Sequence, residues 1–135
     1  MIILSLDYGE KRIGVAIGNS EIKTSTPINS VKNRDKTSLI SAIKKIIHDY
    51  EVSLIVLGYP LHMDGSESPI SKKVKKFKNL IITETGLEVK LVDERLTSFE
   101  AAELLKGSRG DIRKSKDLID SVSAHIILSE YLETI

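Results

Sequence analysis

The chain has 135 residues, of which 41% are hydrophobic and 29% are charged, a composition typical of one globular domain rather than of a disordered segment. It contains no cysteine, which excludes disulfides, thiolate zinc sites and cysteine nucleophiles. The formal net charge is only +1, so any attraction to a polyanion must come from local clusters of basic residues.

Three strands are predicted at the beginning of the chain. Residues 2–7 and 12–17 are β-rich runs separated by four residues that suit a hairpin turn, so they should pair antiparallel. Gly9 and Gly14 could allow the backbone to approach a phosphate, but the hairpin alone is sufficient to explain both. Residues 24–31 form a weaker third strand, and Pro27, which has no amide proton to donate, places that strand at an edge of the sheet.

A helix, a buried strand and a second helix follow. Apolar residues recur at helical spacing over residues 37–50, which predicts a helix with one buried stripe. Residues 52–57 are continuously apolar, as in a strand covered on both faces of a parallel sheet. Ser68 and Pro69 are typical of a helix start, and Gly86 should end that helix.

The last part of the chain is predicted to contain one strand and two helices. Residues 89–92 form the strand, 98–105 a short helix, 106–116 a basic loop and 117–133 the final helix. The two late strands need crossover connections, so they should lie parallel to the first strand. The predicted fold class is therefore α/β, with a mixed sheet of three antiparallel and then two parallel strands, flanked by helices.

Acidic residues follow two of the predicted parallel strands and begin the final helix. Asp7 ends the first strand, Asp93 and Glu94 follow the fifth, and Asp120 lies near the start of the last helix. Because ligands of open α/β sheets bind beyond the carboxyl ends of the strands, we expect these acids to converge there. Clustered carboxylates are costly unless a cation neutralises them, and oxygen ligands suit Mg²⁺ or Mn²⁺.

Each of these acids also has a simpler explanation. Asp7 could cap the hairpin turn, and Asp120 or Asp117 could be stabilised by the dipole of the final helix. Asp93 or Glu94 could pair with a neighbouring arginine at the surface. We favour Glu94 over Asp93 as a metal ligand, and Asp120 over Asp117.

Four segments resemble the signature segments of the YqgF/RuvX family, in the order in which that family has them. They are residues 7–16 (DYGEKRIGVA), 58–66 (GYPLHMDGS), 93–98 (DERLTS) and 119–124 (IDSVSA). The resemblance covers nearly the whole chain and implies a ribonuclease H-like fold. It also implies a metal-dependent nuclease, proposed to mature the 5′ end of 16S ribosomal RNA. The family's acidic positions carry over to Asp7, Glu94 and Asp120, with Asp7 as the expected bridging ligand.

Basic residues near these segments are candidate contacts to a nucleic-acid backbone, since such contacts usually come from lysine and arginine. The predicted set consists of Lys11, Arg12, Arg95, Arg109, Arg113 and Lys114. The lysines of residues 72–78 are better explained as the solvated face of a helix. We expect a cytoplasmic monomer or homodimer that binds structured RNA or branched DNA and makes no contact with a membrane.

The leading hypothesis is a nuclease that requires Mg²⁺ or Mn²⁺ and processes pre-16S ribosomal RNA. One alternative is a Holliday junction resolvase acting on branched DNA. Another is a non-catalytic nucleic-acid-binding factor in transcription or ribosome maturation. An actin-like ATPase is also suggested by the first segment, but the chain is short for a fold that closes two domains around its nucleotide.

Overall fold

A computed structural model of the chain describes residues 1–62, 64–93 and 120–135. Its strands and helices follow in the order β1 (Ile2–Asp7), β2 (Arg12–Asn19), β3 (Thr24–Lys32), α1 (Lys36–Tyr50), β4 (Val52–Tyr59), α2 (Pro69–Thr85), β5 (Val89–Asp93) and α3 (Val122–Glu133). None of the described helices is both long enough and apolar enough to cross a bilayer.

The described strands form one sheet in the order β3-β2-β1-β4-β5. Strands β1, β2 and β3 pair antiparallel, whereas β4 is parallel to β1 and β5 is parallel to β4. The predicted mixed sheet is thus confirmed, and Pro27 lies on an edge strand as expected. Strand β1 occupies the middle of the sheet, with β4 beside it, so Asp7 ends the most interior strand.

Alternation along the strands divides the core between the two faces of the sheet. Leu4 and Leu6 of β1 belong to the core cluster beneath α1 and α2. Ile3 lies in a second cluster, which α3 covers with Leu128 and other apolar side chains. Successive side chains of a strand point to opposite faces, so Ile3, Ser5 and Asp7 share the α3 face.

The ends of α1 and α2 are set by the local signals that the sequence shows. Asp35 caps α1 by accepting a hydrogen bond from the amide of Ser38 (2.8 Å), so the helix begins one residue earlier than predicted. Ser68 caps α2, Pro69 is its first residue, and Gly86 ends it with φ 73°. The predicted start and end of α2 are therefore confirmed.

The final helix is shorter, within the described residues, than the sequence pattern predicts. Regular helix runs from Val122 to Glu133. Asp120 is itself helical, but the turn residue Ser121 separates it from the first residue of α3. The predicted helical residues 117–119 lie outside the described residues, as do the predicted helix 98–105 and the basic loop 106–116.

A buried hydroxyl fixes the start of α3 against the sheet. The β2–β3 pairing shifts register between Ile13 and Val15, which opens the ladder of backbone hydrogen bonds. Ser121, fully buried, closes the opening by accepting from the amide of Val15 (3.0 Å) and donating to the carbonyl of Ile28 (2.5 Å). The backbone that precedes α3 is thus attached to β2 and β3 at one point.

We expect Ser121→Ala to lower the free energy of unfolding by about 1–3 kcal/mol, because it leaves a buried amide and a buried carbonyl without their partner. Ser129→Ala is the matched control, since the Ser129 hydroxyl only donates to the carbonyl of His125 one turn back in α3 (2.9 Å). Urea unfolding of the two variants measures the difference. Equal losses would show that Ser121 has no special structural role.

Candidate metal centre

Asp7 is the last residue of the central strand, at the carboxyl end of the parallel part of the sheet. Its partner across the antiparallel pair is Gly14 of β2. Directly opposed residues of two strands present their side chains on the same face. The Asp7 carboxylate and the open side of Gly14 therefore both belong to the face that α3 covers.

Gly14 allows the chain at Asp120 to lie directly against this strand pair. A Cβ atom placed on Gly14 would lie 2.2 Å from the carbonyl oxygen of Asp120 and 3.3 Å from the Cα atom of Ser121. No side chain fits into that space. Since Gly14 is opposite Asp7, the contact places the backbone of Asp120 against the residue that pairs with Asp7, although the two acids are far apart in the sequence.

An arginine of the hairpin is bound to the second acid. The Nε atom of Arg12 donates to Oδ2 of Asp120 at 2.6 Å, and each side chain is 30% exposed. Arg12 precedes Gly14 by two residues on β2, so it lies on the same face of the sheet. Sequence analysis predicted Arg12 as a contact to nucleic acid, whereas in this structure it balances the charge of Asp120.

The sheet separates Asp93 from the other two acids. Asp93 is the last residue of β5 and pairs with Tyr59 of β4. Tyr59 packs against the core cluster beneath α1 and α2, which is the face opposite to Asp7. This placement argues against Asp93 as a partner of Asp7. Glu94 and Asp117 lie outside the described residues, so their roles remain predictions.

The donor set suits a hard divalent cation. Asp7 and Asp120 offer carboxylate oxygens, the ligands that Mg²⁺ and Mn²⁺ prefer. The nearest histidine along the chain, His125, instead has its Nδ1 atom 2.8 Å from the hydroxyl of Ser25. Within the described residues no group of three or more candidate metal ligands occurs. A third carboxylate would therefore have to come from the part of the chain that is not described, where Glu94 is our candidate.

The remaining predicted nucleic-acid contacts are only partly described. Lys11 is exposed at the hairpin and lines a shallow cavity of about 280 Å³ together with Arg12, Lys32 and Arg34. Four predicted residues lie outside the described residues: Arg95, Arg109, Arg113 and Lys114.

Sequence analysis missed two residues that position the acids. Gly14 was explained by the hairpin alone, which is wrong, because it also admits the backbone of Asp120. Ser121 was quoted only as part of the segment 119–124 and was given no role, yet its hydroxyl holds the chain next to Asp120 against β2 and β3. The sequence shows only that Ser121 is adjacent to the candidate ligand Asp120. Its sequence position alone does not distinguish a buried serine from one at the surface.

Comparison with known proteins assigns the chain to a family. Residues 1–134 match the family model described as RuvX, Holliday junction resolvase. The chain belongs to the RuvX family. Two relatives, both named "Putative pre-16S rRNA nuclease", come from Escherichia coli O157:H7 (strain EC4115) and O7:K1 (strain IAI39). They are 40% and 39% identical over 131 residues, which is 97% of this chain and 95% of each relative.

Solved structures confirm the predicted ribonuclease H-like fold for this RuvX-family chain. The fowlpox virus Holliday junction resolvase matches with a TM-score of 0.63 and 17% identity, covering all of both chains. Thermus thermophilus RuvC, solved in complex with a Holliday junction substrate, matches with a TM-score of 0.61 and 12% identity, covering 99% of this chain and 94% of RuvC. At these identities the likeness establishes the fold.

We expect Arg12→Met to strengthen Mg²⁺ binding, because the guanidinium competes with a cation for the Asp120 carboxylate. Removing one positive charge from this partly exposed pair should make the free energy of Mg²⁺ binding more favourable by ~1 kcal/mol, which is roughly a fivefold gain in affinity. Calorimetric titration with Mg²⁺ at constant ionic strength measures the change.

Lys11→Met is the matched control for this experiment. It removes the same charge one residue earlier, and Lys11 forms no ion pair with any described residue. Its Mg²⁺ affinity should stay within about twofold of the unmodified protein, as screening weakens exposed charges. Identical affinities for both variants would show that the Arg12–Asp120 pair does not oppose metal binding.

Proposed function

We propose that this RuvX-family protein is a metal-dependent nuclease that hydrolyses phosphodiester bonds at the 5′ end of pre-16S ribosomal RNA. The family assignment and the names of the relatives support a nuclease function. The observation that supports the metal dependence is the packing of the Asp120 backbone on Gly14, the residue that pairs with Asp7. A close approach of two acids is favourable when a cation neutralises them.

In this proposal Asp7, Glu94 and Asp120 would hold Mg²⁺ or Mn²⁺, with Asp7 as the central ligand of the three. Asp7 suits that role because it ends the middle strand, where it pairs with Gly14 of β2 and the preceding Leu6 pairs with Leu57 of β4. When bound, the metal polarises the phosphate and lowers the pKa of water for attack. The position of Asp93 on the opposite face favours the next residue along the chain, Glu94, as the third acid.

Arg12 has two successive roles in the proposal. Before a cation binds, its Nε atom holds Oδ2 of Asp120 and offsets the charge of the acid pair. Once the Asp120 carboxylate is engaged elsewhere, the guanidinium becomes available to donate to a phosphate oxygen, the partner for which its planar geometry is suited. If Arg12 binds Asp120 first and a phosphate afterwards, the observed ion pair is compatible with the predicted contact of Arg12 to nucleic acid.

Ribosomal RNA is the leading substrate because the two relatives, at about 40% identity over nearly the whole chain, bear the name of a pre-16S rRNA nuclease. The second candidate is a four-way DNA junction. It is favoured by the fold, since the two structural neighbours are named as a Holliday junction resolvase and as RuvC bound to such a junction. A resolvase would act as a symmetric dimer, whereas an RNA nuclease could act as a monomer. A cytoplasmic location fits either substrate.

The test is cleavage of a pre-16S RNA fragment and of a four-way DNA junction in Mg²⁺ and in Mn²⁺ by matched variants. Asp7→Asn and Asp120→Asn should each lower the cleavage rate by more than the ~10–100-fold that loss of an outer-shell metal partner costs. Asp93→Asn is the control, because it removes the same charge on the opposite face of the sheet. Its rate should remain within about threefold of the unmodified protein.

Several results would contradict the proposal. Cleavage that persists in EDTA would exclude metal dependence, and full activity of Asp120→Asn would exclude that residue as a ligand. Preference for the DNA junction would favour resolution over RNA processing. Binding of either substrate without cleavage in any of these conditions would favour a non-catalytic nucleic-acid-binding factor.

A further inference from the structure

A groove of about 640 Å³ lies on the face of the sheet opposite to α3, between the β1–β2 hairpin, the first turn of α1 and the middle of α2. We call it the hairpin groove and define it by two aromatic residues and four basic ones: Tyr8, Phe77, Arg34, Lys36, Lys73 and Lys76. Its volume is in the range of ~300–1,000 Å³ that is typical of small-molecule sites. Of its six defining residues, only Tyr8 lies in one of the four family segments, and none belongs to the acid pair.

The rim of the hairpin groove is positively charged. Four basic residues and two acids, Glu10 and Asp35, line the groove, so the net charge of its lining is +2. Glu10 is paired with Lys73 at 2.7 Å, and Asp35 is occupied as the cap of α1. Arg34, Lys36 and Lys76 form no ion pair with any described residue. Three cations around a concave surface favour an anionic occupant.

The floor of the groove is aromatic and apolar. The rings of Tyr8 and Phe77 lie 5.2 Å apart at an angle of 56°, and Leu39 and Leu80 complete the surface. Phe77 is almost entirely buried, whereas Tyr8 is only half-buried. An aromatic surface below a basic rim is the arrangement on which an unpaired base stacks while its phosphates contact lysine and arginine.

The groove and the acid pair lie at the same end of the sheet. Tyr8 follows Asp7 directly, and alternation places their side chains on opposite faces. Consecutive Cα atoms are about 3.8 Å apart. A nucleic-acid strand that passes over the end of β1 would thus meet the carboxylates on one face of the sheet and the hairpin groove on the other.

We propose that the hairpin groove binds an unpaired nucleotide that flanks the cleavage site. This inference rests on the proposed nuclease function and specifies its substrate as a strand with a single-stranded flank. The base packs on Tyr8, and the adjoining phosphates contact Lys36, Lys76 and Arg34. Stacking and phosphate contacts carry no base identity, so the groove selects for single-strandedness rather than for sequence.

The experiment measures binding of a fluorescent eight-nucleotide single-stranded RNA to the full-length protein in EDTA by anisotropy. Lys36→Ala/Lys76→Ala removes one exposed lysine of α1 and one of α2 from the groove. Lys45→Ala/Lys72→Ala removes one exposed lysine from each of the same helices outside the groove. The net charge of the two double variants is therefore equal.

The groove variant should bind about tenfold more weakly, and the slope of log affinity against log salt should fall by about 1.4 for two lost phosphate contacts. The control should bind within about twofold of the unmodified protein with its slope unchanged. Tyr8→Leu should reduce quenching of an RNA with one 2-aminopurine, because stacking is lost. Equal effects of the two double variants, or an equal loss of binding to a blunt RNA duplex, would overturn the proposal.

Binding in EDTA needs no catalysis, so the two proposals fail separately. If the unmodified protein cleaves no substrate but still binds single-stranded RNA through the hairpin groove, only the nuclease proposal is contradicted. Unchanged single-strand binding by the groove variant, together with metal-dependent cleavage, would contradict only the groove.

Discussion

The contact between Gly14 and the backbone of Asp120 is the constraint on which the rest of this end of the molecule depends. The absence of a side chain at Gly14 allows the carbonyl of Asp120 to occupy space that a Cβ atom would fill. The Ser121 hydroxyl holds this contact in place by bonding backbone groups of β2 and β3 where their ladder is interrupted. Without both features, the last helix could cover the sheet and still leave Asp120 away from Asp7.

This constraint gives the two faces at the end of the sheet opposite electrostatic character. On the α3 face, Asp7 and Asp120 concentrate negative charge, which Arg12 offsets in part. On the other face, the hairpin groove concentrates positive charge around an aromatic floor. Strand alternation at Asp7 and Tyr8 is sufficient to separate these environments. Under the two proposals, one end of the sheet would offer a cation site and an anion site to the same strand of nucleic acid.

Sequence patterns predicted the sheet correctly because each strand carries its own local signal. Pro27 identified the edge strand, and Ser68 with Pro69 identified the start of α2. The site was predicted less completely, because its geometry depends on contacts between residues distant in the chain. No local sequence pattern shows whether Gly14 serves only the hairpin or also provides the space into which the carbonyl of Asp120 packs. The pairing of Arg12 with Asp120 likewise joins the two ends of the chain, so it could not be seen before they were folded together.

The most direct test of the central claim is anomalous X-ray diffraction from crystals of the protein grown with Mn²⁺. The account predicts an anomalous peak within coordinating distance of carboxylate oxygens from both Asp7 and Asp120, with the Arg12 guanidinium displaced from Oδ2 of Asp120. A peak that contacts neither acid, or no peak while the Arg12–Asp120 pair stays intact at millimolar Mn²⁺, would contradict it.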